Sequence, residues 1–377
     1  MLVTDKEKLL FYYTEKRMWQ GIPSVEVTKS GRIFASFYSG NIKETFGNFC
    51  VLVKSNDGGK TFTEPVAAAD AGKKARCFDS CLWIDPLGRL WFIWSVMPEL
   101  MVYATICDNP DKETLSWREP FKIGYGIMMN KPTVASDGSW LFPIAVWKKE
   151  SVALLGEEFD NKNIEERLAF VYKTADNGKS FVKTGGVDAD ERTFDEHMLL
   201  EKNDGSLKMF VRTSYGICES TSEDGGYTWT NGSNSKLISP NSRFFIRRLK
   251  SGRVLLISNN DSEERKNLTA FLSDDDCASW KWSICLDERN FVSYPDAAEG
   301  EDGYIYIVYD RERGSVCKSL EELLENNREI LLAKISEEDI IAGKLVCPES
   351  REKIVISKLS GYNGDLVYLY ENKGEGN

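Results

Sequence analysis

Short apolar runs recur along the chain, each broken by a polar turn with a glycine and answered by a second apolar run. Six segments share this pattern: SVEVTKSGRIFASF, SCLWIDPLGRLWFIW, KPTVASDGSWLFPIAV, HMLLEKNDGSLKMFVR, FFIRRLKSGRVLLIS and YPDAAEGEDGYIYIVY. The pattern predicts β-hairpins. The turn glycines are Gly31, Gly88, Gly138, Gly205, Gly252 and Gly303, with gaps of 57, 50, 67, 47 and 51 residues. That interval is the size of one four-stranded propeller blade. Long helices are not expected. Leu320–Asn327 and Ser336–Ala342, rich in Glu with Leu or Ile, predict short helical turns.

A second repeat lies inside the first. The octet Ser-x-Asp-x-Gly-x-Thr-aromatic runs from Ser55 to Phe62, from Thr174 to Phe181 and from Ser222 to Trp229. A degenerate copy, in which Cys277 replaces the glycine, runs from Ser273 to Trp280. An Asp before Gly makes a tight turn whose carboxylate takes backbone N–H bonds. The Thr and aromatic start a strand and plug the turn into a core. Three boxes fall about 20 residues after a hairpin glycine, at the turn between the third and fourth strands. Thr174 lies 36 residues after Gly138, because a charged segment around Lys148–Glu166 is inserted there. These repeats predict an all-β fold: a six-bladed β-propeller of four-stranded antiparallel blades. It forms one domain, residues 1–377, with blades from roughly Glu15 to Tyr370. Asp57, Asp176, Asp224 and Asp275 then fasten outer turns, Asp275 least securely.

Composition narrows the function. The 377 residues are 42% hydrophobic, enough for a sizeable core. A net charge of −11 argues against a nucleic-acid or anionic-membrane surface. No apolar stretch approaches the length of a membrane span. The start, MLVTDKEKLLFYYTEKRMW, lacks an apolar core and a small-residue cleavage site, so cytoplasm is the expected compartment, or secretion if a leader has been trimmed. The nine cysteines form no metal-like pair, and Cys50, Cys218 and Cys285 read as small core residues. No metal cluster or nucleotide loop is seen, and no cofactor is expected.

Register locates the functional face. In a propeller, the start of each first strand and the end of each second strand share one mouth. Nine residues before the hairpin glycines stand Ile22, Asp79, Met129, Glu196, Arg243 and Tyr294. Seven residues after them stand Tyr38, Ser95, Ala145, Arg212, Asn259 and Asp310. Four of the six in the first ring are polar or charged, with Asn130, Lys131 and His197 as neighbours. Buried charges cost several kcal/mol unless paired or used. The bland alternative is a wet channel with structural ion pairs.

This cluster suits glycosidic chemistry. Tyr294 beside Glu196 reads as a nucleophile and its base, since a phenol needs an adjacent carboxylate to lose its proton. A neutral phenol suits an anomeric carbon that already bears a carboxylate, which would repel an anionic Asp or Glu. Arg212 and Arg265 are candidates to hold that carboxylate through paired N–H bonds. His197, the only histidine, is a candidate sugar ligand or acid/base, or a hydrogen-bonded wall residue. Asp79 and Lys131 are candidate hydroxyl ligands. Trp147 is the preferred stacking candidate among tryptophans that otherwise read as blade core.

The boxes, the six blades and the order of these residues resemble the sialidase (neuraminidase) superfamily, bacterial BNR-repeat proteins in particular, over nearly the whole chain. The resemblance implies an exo-α-sialidase-like, retaining Tyr/Glu hydrolase acting on a glycan. Asp195-Glu196-His197 stands at the family's Glu segment, and Arg212 at its second arginine. Arg265-Lys-Asn-Leu-Thr stands at the third arginine, and Ser293-Tyr294-Pro295-Asp296 at the tyrosine. Asp310 stands where a buttress for the first arginine is usual. Two departures stand out. Gly21 precedes Ile22-Pro23 where the family has arginine, which leaves Arg243 or Arg311 to partner Asp310 and Arg243 to replace the missing clamp. No Asp occurs between Phe34 and Ser55, so Glu44 is the acid/base candidate. Other readings are a hydrolase or lyase for another acidic or modified sugar, a glycan-binding propeller without turnover, and a protein-interaction propeller.

Overall fold

In the computed structural model, the described residues are 1–156, 166–314 and 317–359. Residues 157–165 of the charged insertion and the expected domain end near Tyr370 lie outside them. The fold is an all-β, six-bladed propeller. Blade one comprises Trp19–Val27, Ile33–Gly40, Phe49–Ser55 and Ala67–Ala69, with Leu2–Val3 added on its outer edge. Blades two to five follow in sequence, opening with Arg76–Ile84, Thr133–Val134, Arg192–Glu201 and Phe245–Arg248. Blade six runs through Val292–Glu299, Ile305–Arg311, Glu329–Ile335 and Arg351–Ser357. All strand pairs are antiparallel neighbours in sequence, save the added edge strand. The two expected helical turns form as Leu320–Glu325 and Glu337–Ala342, each N-capped by a serine, Ser319 and Ser336.

The repeats work as turn chemistry requires. All six hairpin glycines have φ between 78 and 90°, a left-handed conformation that side chains resist. In the first box Asp57 accepts from the Lys60 and Thr61 amides, both at 3.0 Å, and from the Thr61 hydroxyl at 2.6 Å. The same bonds recur at Asp176 and Asp224. The degenerate box folds the same way: Asp275 accepts from the Ser279 amide at 2.8 Å, and Cys277 takes φ 72° in place of glycine.

Blade faces are apolar and pack on one another. Blades one and six close the ring through Val25, Val27 and Ile33 against Ala298, Tyr306, Val308 and Leu332. A polar clasp backs this seam: Gln20 donates to the Arg328 carbonyl at 2.6 Å, and Arg17 to Ser357 Oγ at 3.2 Å. Cys50 and Cys218 are buried, as small core residues should be, but Cys285 is exposed. It sits on the outermost strand of blade five, Trp282–Asp287, where alternate side chains face outward. All nine cysteines are free. Among the described residues no helix is long and apolar enough to cross a membrane, and no group of three or more His, Cys, Asp or Glu could hold a metal ion.

Candidate active site

Four blades begin with the same irregularity. The ladder between the first and second strands slips at Gly21/Ser24, Phe78/Cys81, Asp195/Met198 and Ser293/Asp296. At each slip the residue nine before the hairpin glycine is left-handed: Ile22 (φ 56°), Asp79 (50°), Glu196 (43°) and Tyr294 (57°). A β-bulge redirects a side chain that would otherwise point between blades. For a residue with a β-carbon this conformation costs of order 1–2 kcal/mol, and such strain collects at functional sites. All four residues line one cavity of about 530 Å³.

On one wall Tyr294 meets Glu196. The phenol donates to Glu196 Oε1 at 2.9 Å. Arg212 Nη1 donates to the same Oε1 at 2.6 Å and to the phenol oxygen at 3.0 Å. Glu196 Oε2 is buried and has no hydrogen-bond partner among the described residues, so its lone pairs are open to a proton. Burial raises the Tyr294 pKa; Glu196 adds to that, while Arg212, Arg313 and Arg265 pull against it. The three guanidiniums offset part of this rise, but burial outweighs them and the net shift is upward. Arg313 lies 4.2 Å and Arg265 5.2 Å from its ring centroid, measured at the guanidinium carbon.

Asn241 orients two of these arginines. Its side-chain oxygen accepts from Arg212 Nε at 2.6 Å, and its carbonyl accepts from both Arg212 and Arg265 at 3.2 Å. The facing wall holds Arg76, Glu44 and Asp79. Arg76 donates to Glu44 at 3.0 Å and covers the Phe78 ring at 4.2 Å. Trp147, Phe194, Met129 and Leu155 make an apolar flank. Trp147 packs edge-on against Phe194 at 5.0 Å.

Sequence reasoning missed Arg76, Phe194 and Asn241, and above all Arg313. Arg313 lies three positions past Asp310 in a segment without repeat register, so counting from the glycines did not reach it. Its guanidinium pairs with Asp310 at 3.3 Å. Asp310 also accepts from the Ile22 amide at 2.8 Å and the Ser293 hydroxyl at 2.7 Å, tying two bulges together. Arg311, the alternative partner, turns instead to Glu312 and Glu329.

Other register-based candidates lie beneath the cavity. Arg243 is wholly buried; it donates to Asn130 at 2.8 Å, to the carbonyls of Pro23 and Met129, and pairs with Asp296. It therefore does not supply the missing clamp. Lys131 spends its ammonium on the Val25 and Leu82 carbonyls, both at 2.6 Å, and on Glu26 and Asp296. It cannot serve sugar hydroxyls, because its donors are already used in this plug. His197 lies 2.7 Å from the Phe170 carbonyl, to which its ring donates, and burial lowers its pKa to about 4. It is a neutral wall residue. The boxes contribute nothing to the cavity lining.

The profile of the BNR repeat-like domain matches residues 66–307, and the chain belongs to that family. No curated protein matches it by sequence. Among solved structures it is similar to the Hadza microbial sialidase Hz136, with 17% identity and a TM-score of 0.62. That match covers 78% of this chain and 64% of the other, so the chain spans about two thirds of that relative's length. A leech intramolecular trans-sialidase aligns at 17% identity and TM-score 0.63, covering 88% of this chain and 70% of the other. The intramolecular trans-sialidase from Ruminococcus gnavus aligns at 16% identity and TM-score 0.61, covering 88% and 96%. At these identities the likeness is one of fold.

Proposed function

We propose that this propeller is a glycoside hydrolase of the sialidase type, which removes a terminal acidic sugar from a glycan with retention at the anomeric carbon. One observation carries the reading: a phenol hydrogen-bonded to a buried carboxylate at 2.9 Å, ringed by three guanidiniums, at the wall of a cavity of about 530 Å³. The substrate carboxylate lies against Arg265 and Arg313, with Arg212 linking it to the catalytic pair. Charge-assisted N–H bonds suit a planar carboxylate there. Tyr294 attacks the anomeric carbon as Glu196 takes its proton, and a carboxyl of the facing wall protonates the departing oxygen. Water then displaces Tyr294 from the glycosyl-enzyme, and Glu196 returns the phenolic proton.

The test is hydrolysis of a fluorogenic α-sialoside by the wild type, Tyr294→Phe and Glu196→Gln. Release by the wild type, with Glu196→Gln reduced about 10²–10⁴-fold, is expected for loss of a general base. Equal rates for all three, or no release by any, would overturn the reading.

A further inference from the structure

We infer that the proton donor of this site is Asp79 rather than Glu44, an assignment that rests on the glycosidase reading above. The two carboxyls line the same cavity as Tyr294, but differ in burial and in partners. Glu44 is bound to the Arg76 guanidinium at 3.0 Å, and its side chain keeps 27% of its exposure. Asp79 is 2% exposed and makes no hydrogen bond or ion pair among the described residues. It stands on the bulge of blade two, in the same left-handed conformation that aims Glu196 and Tyr294 into the cavity.

The groups around Asp79 come from six segments of the chain. Arg76 lies on its own strand, Glu44, Tyr38 and Cys50 in blade one, Glu196 in blade four, and Arg243 ahead of blade five. Burial is the largest influence and raises its pKa to about 8; Glu196 and Glu44 add to it, and Arg76 and Arg243 oppose it. Of the buried carboxyls lining the cavity, the other, Glu196, is fixed by Arg212 and Tyr294. Asp79 therefore holds a proton at neutral pH with no protein acceptor for it, as a general acid requires.

The step balances. As the anomeric carbon–oxygen bond breaks, the Asp79 proton passes to the departing oxygen, which leaves as a neutral alcohol. Tyr294 bonds to the anomeric carbon and Glu196 holds the phenolic proton. In the second half, Asp79 carboxylate takes a proton from water. The resulting hydroxyl bonds to the anomeric carbon, the Tyr294 bond breaks, and Glu196 reprotonates the phenol.

The experiment compares Asp79→Asn and Glu44→Gln on two α-sialosides: one with an alkyl alcohol as leaving group, one with an acidic phenol. A good leaving group needs no proton. Asp79→Asn is expected to lower kcat/KM about 10²–10⁴-fold on the alkyl glycoside and less than about 10-fold on the aryl one. Glu44→Gln is expected to change both alike. The wild type should lose kcat/KM on the alkyl glycoside above about pH 8, a limb absent from Asp79→Asn. Asparagine mimics the neutral acid in shape, so melting temperature should barely move. The wild-type minus Asp79→Asn infrared difference at about pH 6 should contain one protonated-carboxyl stretch; its absence would overturn the assignment. A leaving-group-dependent loss in Glu44→Gln but not Asp79→Asn would do the same and name Glu44 the donor. If Tyr294→Phe were as active as the wild type, or the wild type were inert to both glycosides, the glycosidase reading itself would fail, and the assignment with it.

Discussion

Gly21 and Arg313 occupy one space. A β-carbon on Gly21 would lie 2.2 Å from Arg313 Cδ and 2.7 Å from its Cγ, so the arginine stem reaches the cavity through the gap that the glycine leaves. Position 21 and the Arg313 side chain are mutually exclusive. Arg313→Ala should therefore raise KM for an anionic sugar by about 10–150-fold, the equivalent of about 1.5–3 kcal/mol for a lost charged hydrogen bond. Gly21→Ala should displace the stem and weaken binding in the same direction. Gly21→Arg in the Arg313→Ala background should recover part of the loss, since the space is then free. Steady-state kinetics of these four proteins and of Gly21→Arg alone test this; independent, additive effects of Gly21→Arg and Arg313→Ala would contradict shared occupancy.

Lys131 plugs the channel below the site with its ammonium between Glu26 and Asp296, at 2.9 and 3.1 Å. Asp296 is fully buried and also contacts Arg243. Lys131→Met leaves a buried carboxylate short of a partner, which should cost about 3–5 kcal/mol. Urea unfolding at neutral pH measures it, and a change below about 1 kcal/mol would show that Arg243 alone neutralises Asp296.

His197 should make stability depend on pH. Its folded pKa, lowered by burial to about 4, lies below the unfolded value of 6.5, so the unfolded chain binds the extra proton. Its contribution is complete above pH 6.5 and is lost as pH falls toward 4. Asp79 and Asp195 are raised and run the other way, so the diagnostic quantity is the difference between the wild type and His197→Gln. Denaturant midpoints between about pH 7 and pH 5 should fall more for the wild type, by up to about one proton's slope.

Cys277 occupies the left-handed turn position, φ 72°, that glycine fills in the other three boxes. Relief of about 1–2 kcal/mol of strain, less about 0.4–1 kcal/mol of added unfolded-state freedom, predicts that Cys277→Gly raises the melting temperature slightly. Gly59→Ala should lower it, because its new methyl would meet Leu332 Cδ2 at 2.9 Å.

The propeller was legible in the sequence because blades repeat by local rules: a hairpin glycine, an alternating strand and a box turn specify one blade with little reference to the rest. Register also brought Glu196, Tyr294, Arg212 and Asp79 to one mouth, since the bulge recurs at a constant distance from the glycine. It could not say which mouth residues face the cavity. Arg243 and Lys131 share the register neighbourhood, yet blades three and five lack the left-handed bulge residue, and these side chains fall inward to satisfy buried carbonyls and Asp296, while His197, one residue past the blade-four bulge, turns to the Phe170 carbonyl. Nor could it find Arg313, whose place depends on an empty β-position in blade one, on the far side of the ring seam. Local turn chemistry determined the blades; the competition of distant side chains for the same space and the same charges, which exists only once the ring has closed, decided the site.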